Sequence, residues 1–119
     1  MDDETFQMTM LFDFFGDLLT EKQREYFDLY HNEDLSLSEI AEKAGISRQG
    51  VYDIITRAEK TLVEIEEKTG VVRKWLDTNL EIEKAEAMAQ ELTELLESEG
   101  KPNDLAQQLV LALKDIHDL

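Results

Sequence analysis

The chain has no cysteine, one proline, five glycines and two histidines in 119 residues. Without cysteine there can be no disulfide framework and no thiolate metal site, which fits a reducing cytoplasm. So few turn-making residues argue against a sheet protein and favour helices. No apolar run approaches the roughly 18–20 residues needed to span a bilayer. The opening Met1-Asp2-Asp3-Glu4 is acidic, whereas a secretory signal begins basic. The expectation is a cytoplasmic protein with no membrane insertion. Basic residues are scarce as well: 12 against 28 acids, a formal net charge of −16. The deficit is even, with net −5 over residues 1–19, −5 over 20–70 and −6 over 71–119. No segment offers the basic footprint that polyanion binding normally needs.

Hydrophobic residues make up 42% of the chain, which is enough for a core. The abundant Glu, Lys, Leu and Ala are good helix formers, so the predicted class is all-α. Residues 4–18 place Phe6, Met10, Leu11, Phe14, Phe15 and Leu18 at helical spacing. This aromatic helix either covers the core of the later helices or presents itself to a partner. Thr20 and Gln23 have the spacing of a capping box, opening a helix to about His31 with Tyr26, Phe27 and Tyr30 as core candidates. Ser36 and Glu39 form a second box, with Leu35 and Ile40 at staple spacing around it.

The stretch from Leu35 to Tyr52 then reads as helix, sharp turn and second helix. Gly45 suits the left-handed turn, and Ser47 caps the second helix, with Ile46 and Val51 as its staple. Val51, Ile55, Ala58 and Leu62 recur at 4, 3 and 4 residues as one inward stripe. Such a helix-turn-helix places its second helix in the DNA major groove. That helix reaches Thr69-Gly70, and another runs from Val71 to about Glu99 with Trp75, Leu76, Leu80, Met88, Leu92, Leu95 and Leu96 as its apolar side. Gly100-Lys101-Pro102-Asn103 breaks the chain. A last helix, about Asp104 to Asp118, carries Leu105, Leu109, Val110, Leu113 and Ile116 and closes an antiparallel hairpin. The predicted domains are 1–70, the N-terminal helix plus helix-turn-helix, and 71–119, the hairpin.

Leu19-Thr20, Gln23-Arg24, Ser38-Glu39-Ile40-Ala41, Gly45-Ile46-Ser47, Val51 and Arg57-Ala58 together resemble region 4 of bacterial sigma factors. Over nearly its whole length the chain resembles the YlxM family of small helix-turn-helix proteins from Gram-positive bacteria. Members of that family are encoded beside the protein component of the signal recognition particle and its receptor. The resemblance therefore implies a regulator of that operon or an accessory of that pathway, and it brings no catalytic residues.

With the stripe inward, the outward residues are Arg48, Gln49, Tyr52, Asp53 and Arg57. Arg48 suits a bidentate contact to guanine and Gln49 one to adenine. Tyr52, Thr56, Arg57 and Lys60 are in reach of phosphates. Against this, Asp53 sits in the middle of the reading face, and Glu42 and Glu59 also repel DNA. Sigma region 4 commonly has a basic residue where this chain has Ile54. The DNA-binding candidates are thus Arg48, Gln49, Tyr52, Asp53, Thr56, Arg57 and Lys60. The possible partners are DNA of its own operon and, as the alternative, the signal recognition particle protein, whose RNA binding implies a basic surface.

Other chemistry is not indicated. His31 and His117 lie far apart in the sequence and are expected at the surface. The acidic runs Glu64-Glu66-Glu67 and Glu81-Glu83-Glu86 read as solvated faces. No phosphate loop or nucleotide fingerprint is present. The expectation is a non-enzyme with no cofactor, no metal and no small-molecule substrate. The leucines of residues 71–119 need a cover, either the chain's own N-terminal helix or a second copy, and a homodimer through that hairpin is predicted.

Overall fold

Six helices and one 3-10 turn make up the computed structural model, which describes residues 3–117. Helix α1 is Asp3–Phe15, followed by the 3-10 turn Gly16–Leu18. Next come α2 (Glu21–His31), α3 (Leu37–Ala44), α4 (Arg48–Thr69), α5 (Val71–Ser98) and α6 (Asp104–His117). Among the described residues there is no strand, and the fold is all-α. Among the described residues no helix is long and apolar enough to cross a membrane. The expected end of α6 at Asp118 lies outside the described residues.

Side chains set most of the helix starts. Thr20 Oγ1 accepts the Gln23 backbone N–H (3.2 Å), and Gln23 Oε1 accepts the Thr20 N–H (3.1 Å). Ser36 and Glu39 repeat the arrangement at α3, at 3.1 and 3.0 Å. Between the two, Asp34 takes a left-handed backbone (φ 56°), which a short acidic side chain tolerates. Helix α4 ends at Gly70 (φ 62°), and α5 begins at the next residue. Glu66 Oε1 accepts the Val72 N–H at 2.9 Å, so a carboxylate from the end of α4 caps α5.

Contacts divide the chain into two compact units, Met1–Val72 and Arg73–Leu119, with the boundary two residues inside α5. In the first, α4 packs against α1, α2 and α3. Its interior has two clusters. Leu11, Phe15, Leu19, Phe27, Ala58, Leu62 and Val72 form one, and Tyr26, Ile40, Ala41, Val51 and Ile55 form the other. Phe12 stacks on Phe27 with ring centroids 4.6 Å apart. The predicted stripe of α1 holds in part. Leu11 and Phe15 are buried and Met10 packs against them, while Phe6, Phe14 and Leu18 are exposed, Leu18 by 68%, and the unassigned Leu19 goes inside. Apolar side chains ring this helix, so periodicity does not choose which of them meet α4. Tyr30 is also exposed: it lies on the same side of α2 as Tyr26 and Phe27, but in the last turn of the helix.

The second unit is the hairpin. It buries Ala89 and Thr93 from α5 and Ala106 and Val110 from α6. The larger residues assigned to its apolar sides, Trp75, Leu76, Leu80, Met88, Leu92, Leu95, Leu105, Leu109 and Ile116, are exposed instead. Leu96 and Leu113 are half-buried. Two helices meet along one line, and small side chains fill it.

Candidate nucleic-acid interface

The turn between α3 and α4 is built by three local devices. Gly45 closes α3 in the left-handed region (φ 72°), with its N–H on the Ala41 carbonyl at 2.9 Å. A Cβ there would meet no atom within 4 Å, so glycine is required by the backbone angle and not by space. Ser47 Oγ accepts the Gly50 N–H at 2.9 Å and starts α4. Val51 and Ile55 from α4 then lock onto Ile40 and Ala41 from α3. Glu39 takes part at the far end of α3. The Ser36 N–H on its carboxylate, and then the Ser36 hydroxyl, hold its pKa below the usual glutamate value.

The predicted stripe Val51, Ile55, Ala58 and Leu62 is buried throughout, and this fixes the rotation of α4. Arg48, Gln49, Tyr52, Asp53, Thr56, Arg57 and Lys60 are consequently all exposed. At 100° per residue, Gln49, Asp53, Thr56 and Lys60 fall on one outward stripe. Tyr52 stands on one flank of it and Arg57 on the other, while Arg48, in line with the buried stripe, is exposed because it is the first residue of α4. Tyr52 is 51% exposed although its ring is large and apolar.

Two features of this face escaped the sequence. Gln49 Nε2 donates to Asp53 Oδ1 at 3.0 Å, so the amide expected to read adenine is held by the neighbouring carboxylate. The signal was present, because Gln and Asp four residues apart pair on a helix surface. Ile54, which replaces the basic residue common in sigma region 4, is half-buried and packs against the Ile40 cluster. It belongs to the core of the helix-turn-helix and takes no phosphate.

Glu59 is not on the reading face. It is half-buried, with its carboxylate 3.9 Å from His31 Nε2. His31 is more covered than the surface group expected, while His117 keeps about a third of its side chain exposed. His31 packs on the Phe27 ring (4.3 Å) and edge-on to Tyr30 (5.1 Å). His117 is half-buried between Glu83 (3.5 Å) and Glu86 (3.2 Å), facing α5 across the hairpin. No group of three or more His, Asp or Glu among the described residues could hold a metal ion.

A family model described as "Putative helix-turn-helix protein, YlxM / p13 like" matches residues 2–109. The chain belongs to this family, UPF0122. A UPF0122 protein of Caldanaerobacter subterraneus subsp. tengcongensis is 49% identical over 84 residues, covering 71% of this chain and 72% of that protein. One from Halalkalibacterium halodurans is 44% identical over 103 residues, 87% and 88% of the two chains. One from Bacillus mycoides is 40% identical over 114 residues, 96% and 97%. The UPF0122 match takes in all of α3, the turn and α4, so family and geometry agree on a helix-turn-helix protein.

Proposed function

We propose that this UPF0122 chain is a non-enzymatic, DNA-binding regulatory protein of the cytoplasm. It acts on its own operon and is tied to the signal recognition particle pathway. The observation that carries this is the rotation of α4, which turns six of the seven candidate side chains away from the closed helix-turn-helix core, while Arg48 is exposed as the first residue of the helix. Arg48 supplies a bidentate guanine contact, Gln49 an adenine contact once its amide leaves Asp53, and Tyr52, Thr56, Arg57 and Lys60 hold phosphates. Fluorescence anisotropy on the protein's own upstream DNA, titrated with salt, tests this. The expected result is saturable, sequence-dependent binding that weakens as salt rises. Arg48→Ala should reduce affinity for the preferred site by about 10- to 100-fold, worth about 1–3 kcal/mol, with little change on unrelated DNA. Equal losses on both DNAs, or no loss, would remove Arg48 as a base reader.

A specific observation favours a second reading, in which the chain is an acidic accessory of the signal recognition particle protein. Asp53 lies in the middle of the reading face and occupies Gln49, on a chain of net charge −16. Such a surface suits a basic protein better than a polyanion. The two readings separate on Asp53→Asn. The substitution should strengthen DNA binding and weaken docking to a basic partner.

A further inference from the structure

The hairpin hides its small side chains and shows its large ones. Nothing bulkier than valine is buried along its seam. Met88, Leu92 and Leu95 on α5, with Leu105, Leu109 and Ile116 on α6, are exposed, Met88 by 70% and Leu105 by 80%. These six lie on one side of the seam. The other side is already identified by its neighbours, for Gln90 and Glu97 share one groove with Gln107 and Leu111. Glu83 and Gln90 share the next groove with Lys114. Helical rotation puts the six apolar side chains opposite to both grooves.

We propose that this face is where two copies of the chain join, hairpin against hairpin, as a two-fold four-helix bundle. Three features point to a second copy. First, spacing: Ala85, Ala89, Leu92 and Leu96 on α5 recur at 4, 3 and 4. Leu109, Leu113 and Ile116 on α6 recur at 4 and 3. This pattern points each helix between its hairpin mate and a further layer. Second, area: the twelve residues from Leu105 to Ile116 span about 18 Å, and two helices side by side about 20 Å. Corrugated by side chains, such a face offers on the order of 700 Å² per copy, which is what a standard interface takes from each partner. Third, charge: the six positions include no ionised group, so what joins here is apolar, while the rims are mainly acidic. A basic partner would be drawn to the rims, whereas a second copy meets the face and is repelled at the rims. The two occupants therefore have opposite salt dependence.

Sedimentation velocity of the full chain from about 1 to 100 µM, at low and high salt, reads this directly. The expected result is a species of twice the 13.8 kDa chain mass, with association growing tighter as salt rises. Leu92→Glu combined with Leu109→Glu should give a monomer that keeps its helical circular dichroism. Leu111→Glu, across the hairpin, should leave the dimer intact. Because the chain has no cysteine, Leu92→Cys alone should trap the pair as a disulfide on oxidation if the copies meet there. A monomer at 100 µM overturns the proposal. If Leu92→Glu destabilises that monomer, the face is covered within the chain. If it does not, the face takes a different protein. A dimer that the double variant leaves intact overturns it equally. None of these outcomes depends on whether the chain binds DNA.

Discussion

The two units of this protein use the same residue types to opposite ends. In the helix-turn-helix unit, α4 is surrounded by three helices, and its aliphatic side is enclosed. Phe27, Ile40, Val51 and Leu62 are fully buried there. In the hairpin, α5 is longer than α4 and richer in leucine, yet its only described partner within the unit is α6. Most of its leucines stay outside, and alanine, threonine and valine fill the contact. An interior needs a third wall. Burial thus follows from how many elements converge on a helix, and hydrophobicity along the sequence is not a sufficient guide to it.

The largest expected effect lies where the walls are complete. Phe27 belongs to the larger cluster, stacks on Phe12 and supports the His31 ring. Phe27→Ala should cost about 3–5 kcal/mol, because the transfer term and a new cavity add. Urea denaturation followed by helical circular dichroism measures it. A loss under about 1 kcal/mol would mean that α1 and α2 collapse into the space, and that this unit is as open as the hairpin.

A medium effect is expected in the hairpin, with an inverted dependence on size. Ala106 is buried against α5, so Ala106→Leu should prise the helices apart and cost about 1–3 kcal/mol by overpacking. Leu111, 62% exposed on the polar side, can be cut back to alanine for less than about 0.5 kcal/mol. Thermal unfolding of the two variants compares them. Were Leu111→Ala the more damaging, the small-residue seam would not be the contact that holds the hairpin.

Legibility in the sequence divides the molecule in the same way. Both capping boxes, the Ser47 cap, the Gly45 turn and the inward stripe of α4 are local chemistry, set within four residues by atoms named in the sequence. Because that stripe fixes the rotation of α4, six of the seven candidate side chains are exposed together, and Arg48 is exposed by its place at the start of the helix. The phase of α1 was not legible, since Phe6 and Phe14 are as apolar as Leu11 and Phe15. Only the positions of α2 and α4 choose between them. For the same reason Tyr30 was assigned inside and Glu59 to the DNA side, while Ile54 was not recognised as core. The Gln49–Asp53 bond is legible from its spacing of four residues.

The smallest expected effect isolates that local chemistry. The two capping boxes differ in one respect: the one at Thr20 closes with neutral Gln23, the one at Ser36 with Glu39. The Ser36 N–H and hydroxyl lower the pKa of Glu39 below 4.5. A carboxyl lowered on folding stabilises fully above its unfolded value, and its contribution fades as pH falls through the folded value. Glu39→Gln keeps both hydrogen bonds of the box and removes the titratable group. It also removes a negative charge from the first turn of α3, so the wild type should be slightly the more stable at neutral pH. That margin should hold down to the ordinary glutamate range and then shrink as the pH falls further. Melting temperatures of both proteins over an acid series check it. Gln23→Glu is the converse, expected to introduce at α2 the acid dependence that Glu39→Gln removes at α3. If neither exchange alters the acid limb, the acid sensitivity of this unit does not come from its caps, which then act through hydrogen-bond geometry alone.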